Sequence, residues 1–187
     1  PRGFDDIKTI CSDANVNYDL TTNIANTGSG GNNLLIGTTY SWLAVDNPNV
    51  SGETTVVPGT AIVINDVLNN ITNVDQVVVY TVTATSNNGC AGDPFTVSIT
   101  VRPEPRGFND ASTVLCIDAA VCYSLLSNIS NTVAGGNNLI LGTTYRWVAA
   151  ANAIVSGEST VAVASGTITV ILNNITNADQ IVVYTVI

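Results

Sequence analysis

Residues 75–101 read DQVVVYTVTATSNNGCAGDPFTVSITV. The second half, 95–101, alternates Phe, Val, Ile and Val with Thr, Ser and Thr, which is the period-two pattern of a strand with one buried face. The first half holds a second strand over 77–85, rich in valine. Between them Asn88-Gly89 is a hairpin signal, because both residues tolerate the turn conformations a tight β-connection needs. Working outward, further strands are expected at 8–11, 17–24, 38–45, 53–57 and 61–68, punctuated by Gly, Asn and Pro. No stretch of useful length carries a helical apolar period.

Seven strands in about a hundred residues is the count of an immunoglobulin-like β-sandwich. The chain then repeats itself. PRGFDD at 1–6 returns as PRGFND at 105–110, and GGNNLLIGTTYSW at 30–42 returns as GGNNLILGTTYRW at 135–147. VSGETTV at 50–56 returns as VSGESTV, and LNNITNVDQVVVYTV at 68–82 returns as LNNITNADQIVVYTV at 172–186. The offset is 104 at both ends and 105 in the middle, so one residue is gained before Cys116 and one is lost between Ser165 and Leu172. The expected organisation is a first sandwich over 1–102, a linker over 103–106 and a second sandwich over 107–187. The linker RPEPR at 102–106 places two prolines one residue apart, which favours an extended, stiff connector and sandwiches arranged end to end.

In the second copy Val186 aligns with Val82, so the counterpart of strand 95–101 lies beyond the residues given. A sandwich without that strand exposes a long unpaired edge. The sequence therefore reads as an excerpt of a longer array. The rival reading is donor-strand exchange, in which a neighbouring chain supplies the strand.

The composition narrows function more than it names one. Of 187 residues, 45% are apolar and 10% charged, and Asn (23) and Thr (24) together suit pleated surfaces and turns. Five Lys and Arg against fourteen Asp and Glu give a net charge of −9, which excludes a nucleic-acid binder dependent on clustered cations. No apolar run is long enough to span a membrane. With no His, the commonest general base and metal ligand are missing. The three Glu are Glu53, Glu104 and Glu158, and two of them share one repeat position, so no catalytic role is expected.

Along 38–45, Tyr40, Trp42 and Ala44 share one face of the strand and Ser41 and Leu43 the other. Arg146 replaces Ser41 in the second copy, so the Ser41 face is the wet one, and Trp42 and Trp147 are expected in the core rather than in a sugar-stacking platform. Tyr80 and Tyr184, each five residues after an Asp, are expected to pack beneath a corner before a penultimate strand. Glu104, Asn109 and Asp110, with Asp5, Asp6, Asp13 and Asp19, are hard oxygen donors near the linker. They are the candidates for calcium, set against the plainer reading of solvated surface acids.

The segments TICSD (9–13), TTYSW (38–42) and DQVVVYTVTATSNNGCAGDPFTVSITVRPEP (75–105) resemble the PKD-like repeats of Bacteroidota surface proteins, over essentially the whole chain. The resemblance implies immunoglobulin-like sandwiches in very long secreted adhesins, some associated with gliding and exported by the type IX system. The classical PKD pattern Asp-Phe-Gly-Asp-Gly does not follow Trp42 or Trp147. In a secreted sandwich the default state of Cys11 and Cys90 is a disulfide, whose loop of about 80 residues would stabilise the domain by about 4–5 kcal/mol on the chain-entropy model. Cys116 either closes a short loop with Cys122 or pairs with a cysteine downstream. The expected role is a stiff stalk among further copies of the same repeat, and neighbouring chains where these form a filament. The alternative is a glycan- or protein-binding module built on loops 30–33 and 46–49.

Overall fold

The computed structural model describes residues 1–23, 37–111, 115–116, 118–128, 140 and 142–187, which divide into two units at the Glu104–Pro105 bond. The first unit contains β1 (Asp6–Cys11), β2 (Ala14–Asn15), β3 (Tyr18–Asp19), the single turn α1 (Leu20–Asn23), β4 (Thr39–Ala44), β5 (Val50–Ser51), β6 (Val63–Ile64), β7 (Val67–Asn70), β8 (Gln76–Thr85) and β9 (Phe95–Arg102). The principal sheet has the order β1-β9-β8-β4, with β1 parallel to β9 and the other pairs antiparallel. Facing it are the short ladders β2-β7-β5 and β3-β6.

The core follows from the alternation of β8 and β9. Val78, Tyr80, Val82 and Ala84 on β8, and Phe95, Val97, Ile99 and Val101 on β9, are all at most 3% exposed. Val16, Leu20, Ile64 and Leu68 close the opposite side, each fully buried. Burying one such aliphatic side chain is worth about 1.5–3 kcal/mol, so the central strand β9 alone supplies a large part of the drive to fold. Tyr40, Trp42 and Ala44 point into the same core, and Ser41 is exposed.

Three expected strands are corrected. The stretch 17–24 is strand only at Tyr18–Asp19. The Asp19 carboxylate then accepts from the Thr21 main-chain N–H and hydroxyl and starts α1, an N-cap that competes with strand pairing; Ile24 lies outside the described residues. The stretch 53–57 is not a strand, and the pairing falls just before it, at β5. Gly52 after β5 has φ +100° and passes so close to the Val67 carbonyl that any Cβ would collide with it, which turns the chain out of the ladder. The stretch 61–68 is divided into β6 and β7.

The second unit contains β10 (Ala120–Ser124), α2 (Leu125–Asn128), β11 (Arg146–Ala149), β12 (Val155–Ser156), β13 (Val163–Ala164), β14 (Thr167–Ile171), β15 (Asn173–Asn174) and β16 (Tyr184–Val186). Strand β10 pairs β14, β11 pairs β13 and β16, and β12 pairs β15. The register places the lost residue earlier than the sequence alignment does. Ala44 and Ala149 donate to Thr54 and Ser159, an offset of 105, whereas Trp42 and Trp147 face Gly59 and Val163, an offset of 104, so the deletion falls between Ser159 and Val163.

Residues 180–183 are not strand, although 76–79 in the nearly identical segment are. Local propensity is the same, so the difference lies in the partner. β8 is zipped to β9 from Gln76 to Val82, and the second unit holds no counterpart of β9 among its described residues. Val78 and Val82 are fully buried, while Val182 is half-buried and Val186 is 41% exposed. The second core is accordingly smaller: Val121, Leu125, Tyr145, Trp147, Ile168 and Val170, with Tyr123, Val163, Leu172 and Tyr184 partly buried against it.

Candidate functional site

The best-formed polar arrangement is a clamp that both units build from the same residues. Tyr18 donates its hydroxyl to Asp6 Oδ2 at 2.6 Å and accepts from Asn23 Nδ2 at 2.8 Å. The Asn23 amide also brackets the Phe4 main chain, accepting from its N–H and donating to its carbonyl. Tyr123, Asp110, Asn128 and Phe108 repeat every bond at 2.7–2.9 Å. The clamp fastens the N-terminal segment of each unit to its one-turn helix. Burial, and then the bond to Asp6, push the Tyr18 phenol up to about 12.

Tyr80 and Tyr184 pack edge-to-face on Trp42 and Trp147 at 5.8 and 5.7 Å. The polar partner of Tyr80 is Asp66, not the corner residue Asp75. Its hydroxyl donates to Asp66 Oδ2 at 2.7 Å, and Asp66 also accepts from the Thr54 N–H and hydroxyl. Burial first, and Asp66 second, raise the phenol far above its ordinary value. Asp66 was legible only as one acid set among alternating strand residues, a signal that sequence reasoning passed over. Trp42 Nε1 donates to the Ala61 carbonyl at 3.0 Å.

Several of the calcium candidates are engaged in other bonds. Asp110 accepts from Tyr123 and from the Ala111 N–H, Asp19 caps α1, and Asp5 Oδ1 accepts from the Thr96 N–H on β9 at 2.7 Å. Glu104 belongs to the first unit, Asn109 and Asp110 to the second. Among the described residues no three Asp, Glu, Cys or His side chains form a metal-holding group.

The structure does not bring the expected cysteine pair together. Cys11, Cys90, Cys116 and Cys122 are all free and exposed. Cys11 ends β1 opposite Arg102, whereas Cys90 lies in the hairpin that precedes Phe95. The length of β9 separates them, more than about 20 Å at the strand rise, far outside disulfide reach. Of the alternative binding loops, 30–33 lies outside the described residues. In 46–49, Asn47 is occupied in holding the turn, donating to the Val77 carbonyl and accepting from the Asn49 N–H.

What the second unit offers instead is an open groove of about 1240 Å³, bounded by the 105–111 segment on one side and 179–187 on the other. Val121, Leu125, Ile168, Leu172, Val182 and Tyr184 line it. Their counterparts in the first unit are Val16, Leu20, Ile64, Leu68, Val78 and Tyr80, every one fully buried in a core that β9 helps to fill. Two asparagines mark its ends. Asn70 donates to both the Val74 and the Val101 carbonyls, whereas Asn174 repeats only the first bond, to Ala178. Asn109, also on the lining, stands where Asp5 receives the N–H of Thr96.

Residues 8–105 and 114–187 each match the family model described as PKD-like domain. No curated protein matches the chain.

Proposed function

Because the chain belongs to the PKD-like domain family, in two consecutive copies, we propose that it is a structural repeat segment of an extracellular surface protein, the stalk of a long adhesin or filament. Such domains are generally non-catalytic binding or structural modules and are typically extracellular. No helix among the described residues is long and apolar enough to cross a membrane. The observation that carries the reading is what the duplication preserves. The two copies share the Tyr–Asp–Asn clamp and the Trp–Tyr edge contact bond for bond, and these are devices that hold a fold. The two prolines at 103 and 105 suit a connector that transmits length. The likeness of segments 9–13, 38–42 and 75–105 to Bacteroidota adhesin repeats supports a cell-surface setting within a type IX-secreted, gliding-associated array.

Antibodies raised against the 187-residue chain test this. Staining of intact cells of the source organism, lost after brief external protease, is the expected result. Staining only after permeabilisation overturns it.

A further inference from the structure

We propose that residues 1–11 of the first unit form a load-bearing lock, which a pull along the chain strains in shear, with the Tyr18–Asp6–Asn23 clamp as its latch. The proposal rests on the stalk reading for the origin of the pull. Its geometry follows from what each residue lies against. A Cβ on Gly92 would collide with the Pro1 carbonyl, and one on Gly3 with the Phe95 ring. Asp5 accepts from the Thr96 N–H, and from there the ladder runs from Asp6 beside Val97 to Cys11 beside Arg102. Ser12 closes it by donating to the Arg102 carbonyl at 2.8 Å. Residues 1–11 therefore follow 92–102 in one parallel line.

Because β1 and β9 are parallel neighbours, drawing residue 1 backwards and residue 104 forwards slides one strand past the other along their common axis. The evenly spaced bonds of a parallel ladder then carry the load together. Pulled apart at one end, the same ladder would yield one bond at a time. Sliding would also drag Ile10 from its place beside Val101 in the core. A pull arriving at residues 1–3 meets the latch before the ladder. Asn23 brackets the Phe4 main chain on both sides, and Tyr18 holds Asp6, the first residue of β1. These bonds tie the run to β3 and α1, outside the principal sheet, so the start of β1 is held from two directions. The second unit repeats the latch at Phe108, Asp110, Tyr123 and Asn128.

Optical tweezers test this on the full 187-residue chain, pulled in two directions at one loading rate. For the axial pull, handles sit on Arg2→Cys and Glu104→Cys, with Cys11, Cys90, Cys116 and Cys122 replaced by Ser, which their exposure permits. For the peeling pull, Cys11 is kept and the handles sit on it and on Glu104→Cys, at the end of the sheet where Cys11 meets Arg102. The axial pull should need at least about twice the force of the peeling pull, because forced unfolding follows the unfolding barrier. Asn23→Ala and Tyr18→Phe should each lower the axial force and leave the peeling force where it was. Equal forces in the two directions overturn the shear geometry. An axial force untouched by both variants, or a fall shared by both directions, overturns the latch, since a merely loosened fold weakens in every direction. Surface staining is read separately: equal forces strike this proposal alone, and absent staining with unequal forces strikes the surface reading alone.

Discussion

Tyr80 donates its hydroxyl to Asp66 across the core of the first unit, at 2.7 Å. The counterpart of Asp66 in the second unit is Val170, and the hydroxyl of Tyr184 is buried there without a partner. One repeat thus satisfies a buried phenol with a carboxylate, and its neighbour keeps the phenol and drops the acid. A buried polar group left without its partner costs about 1–3 kcal/mol. Asp66→Val should therefore destabilise the first unit by about that amount, measured from its urea midpoint. Combined with Tyr80→Phe, the loss should be smaller than the sum of the two single changes, because the second removes the orphaned hydroxyl. Strict additivity would refute the coupling.

Gly59 faces Trp42, and a Cβ at that glycine would collide with the indole ring. The indole Nε1 donates to the Ala61 carbonyl. Val163 faces Trp147 in the second unit, and Trp147 Nε1 has no partner. Gly59→Val should displace Trp42, break its bond to Ala61 and cost about 1–3 kcal/mol. The change is read as a shift in Trp42 fluorescence, in a Trp147→Phe background, together with a lowered urea midpoint.

The parts of this architecture that were legible in the sequence are those governed by alternation. Val77 to Thr85 and Phe95 to Val101 announce themselves because each inward residue is apolar and each outward one polar or valine, and Tyr40 and Trp42 fall on the buried face by the same count. What escaped reading depends on bonds between distant residues. Asp66 finds Tyr80 fourteen positions away, and Asp19 diverts the chain into a helical turn where propensity favours strand. The placing of the cysteines was illegible for a related reason: two thiols near the ends of a domain say nothing of which end, and β1 runs parallel to β9, carrying Cys11 away from Cys90. Nearly identical sequence at 76–79 and 180–183, with Ile181 in place of Val77, folds differently where the described residues offer no partner strand. No local rule sees that.

The Tyr18 clamp has a pH signature. Its phenol sits at about 12 in the fold, held up chiefly by burial and then by Asp6, against 10 when unfolded. Between those values the unfolded chain has released the proton and the folded one still holds it. The stability from the clamp is therefore complete below pH 10 and is lost as pH rises toward 12. Urea midpoints should fall across that window at constant ionic strength. In Tyr18→Phe the fall should be shallower, with the neutral-pH midpoint lowered by the lost bonds to Asp6 and Asn23. An unchanged slope would place the titration elsewhere.

Four exposed thiols make the last expectation the simplest to check. Cys11 and Cys90 lie at opposite ends of the principal sheet, and neither Cys116 nor Cys122 is paired. An exposed cysteine reacts with a chromogenic disulfide at a rate set by its thiolate fraction, with no unfolding step required. The native chain should therefore release four equivalents of thiolate without denaturant, as many as it releases in guanidinium. Thermal midpoints should be the same with and without reductant, because the fold contains no covalent loop for reduction to open. A disulfide across the first unit would instead close a loop of about 80 residues and hold its midpoint up by several kcal/mol of chain entropy. Two equivalents in place of four, with a midpoint that drops on reduction and Cys11 linked to Cys90 in the non-reduced peptide map, would show that Cys11 and Cys90 had met, and that β1 does not run beside β9 as the ladder from Asp6 to Cys11 has it.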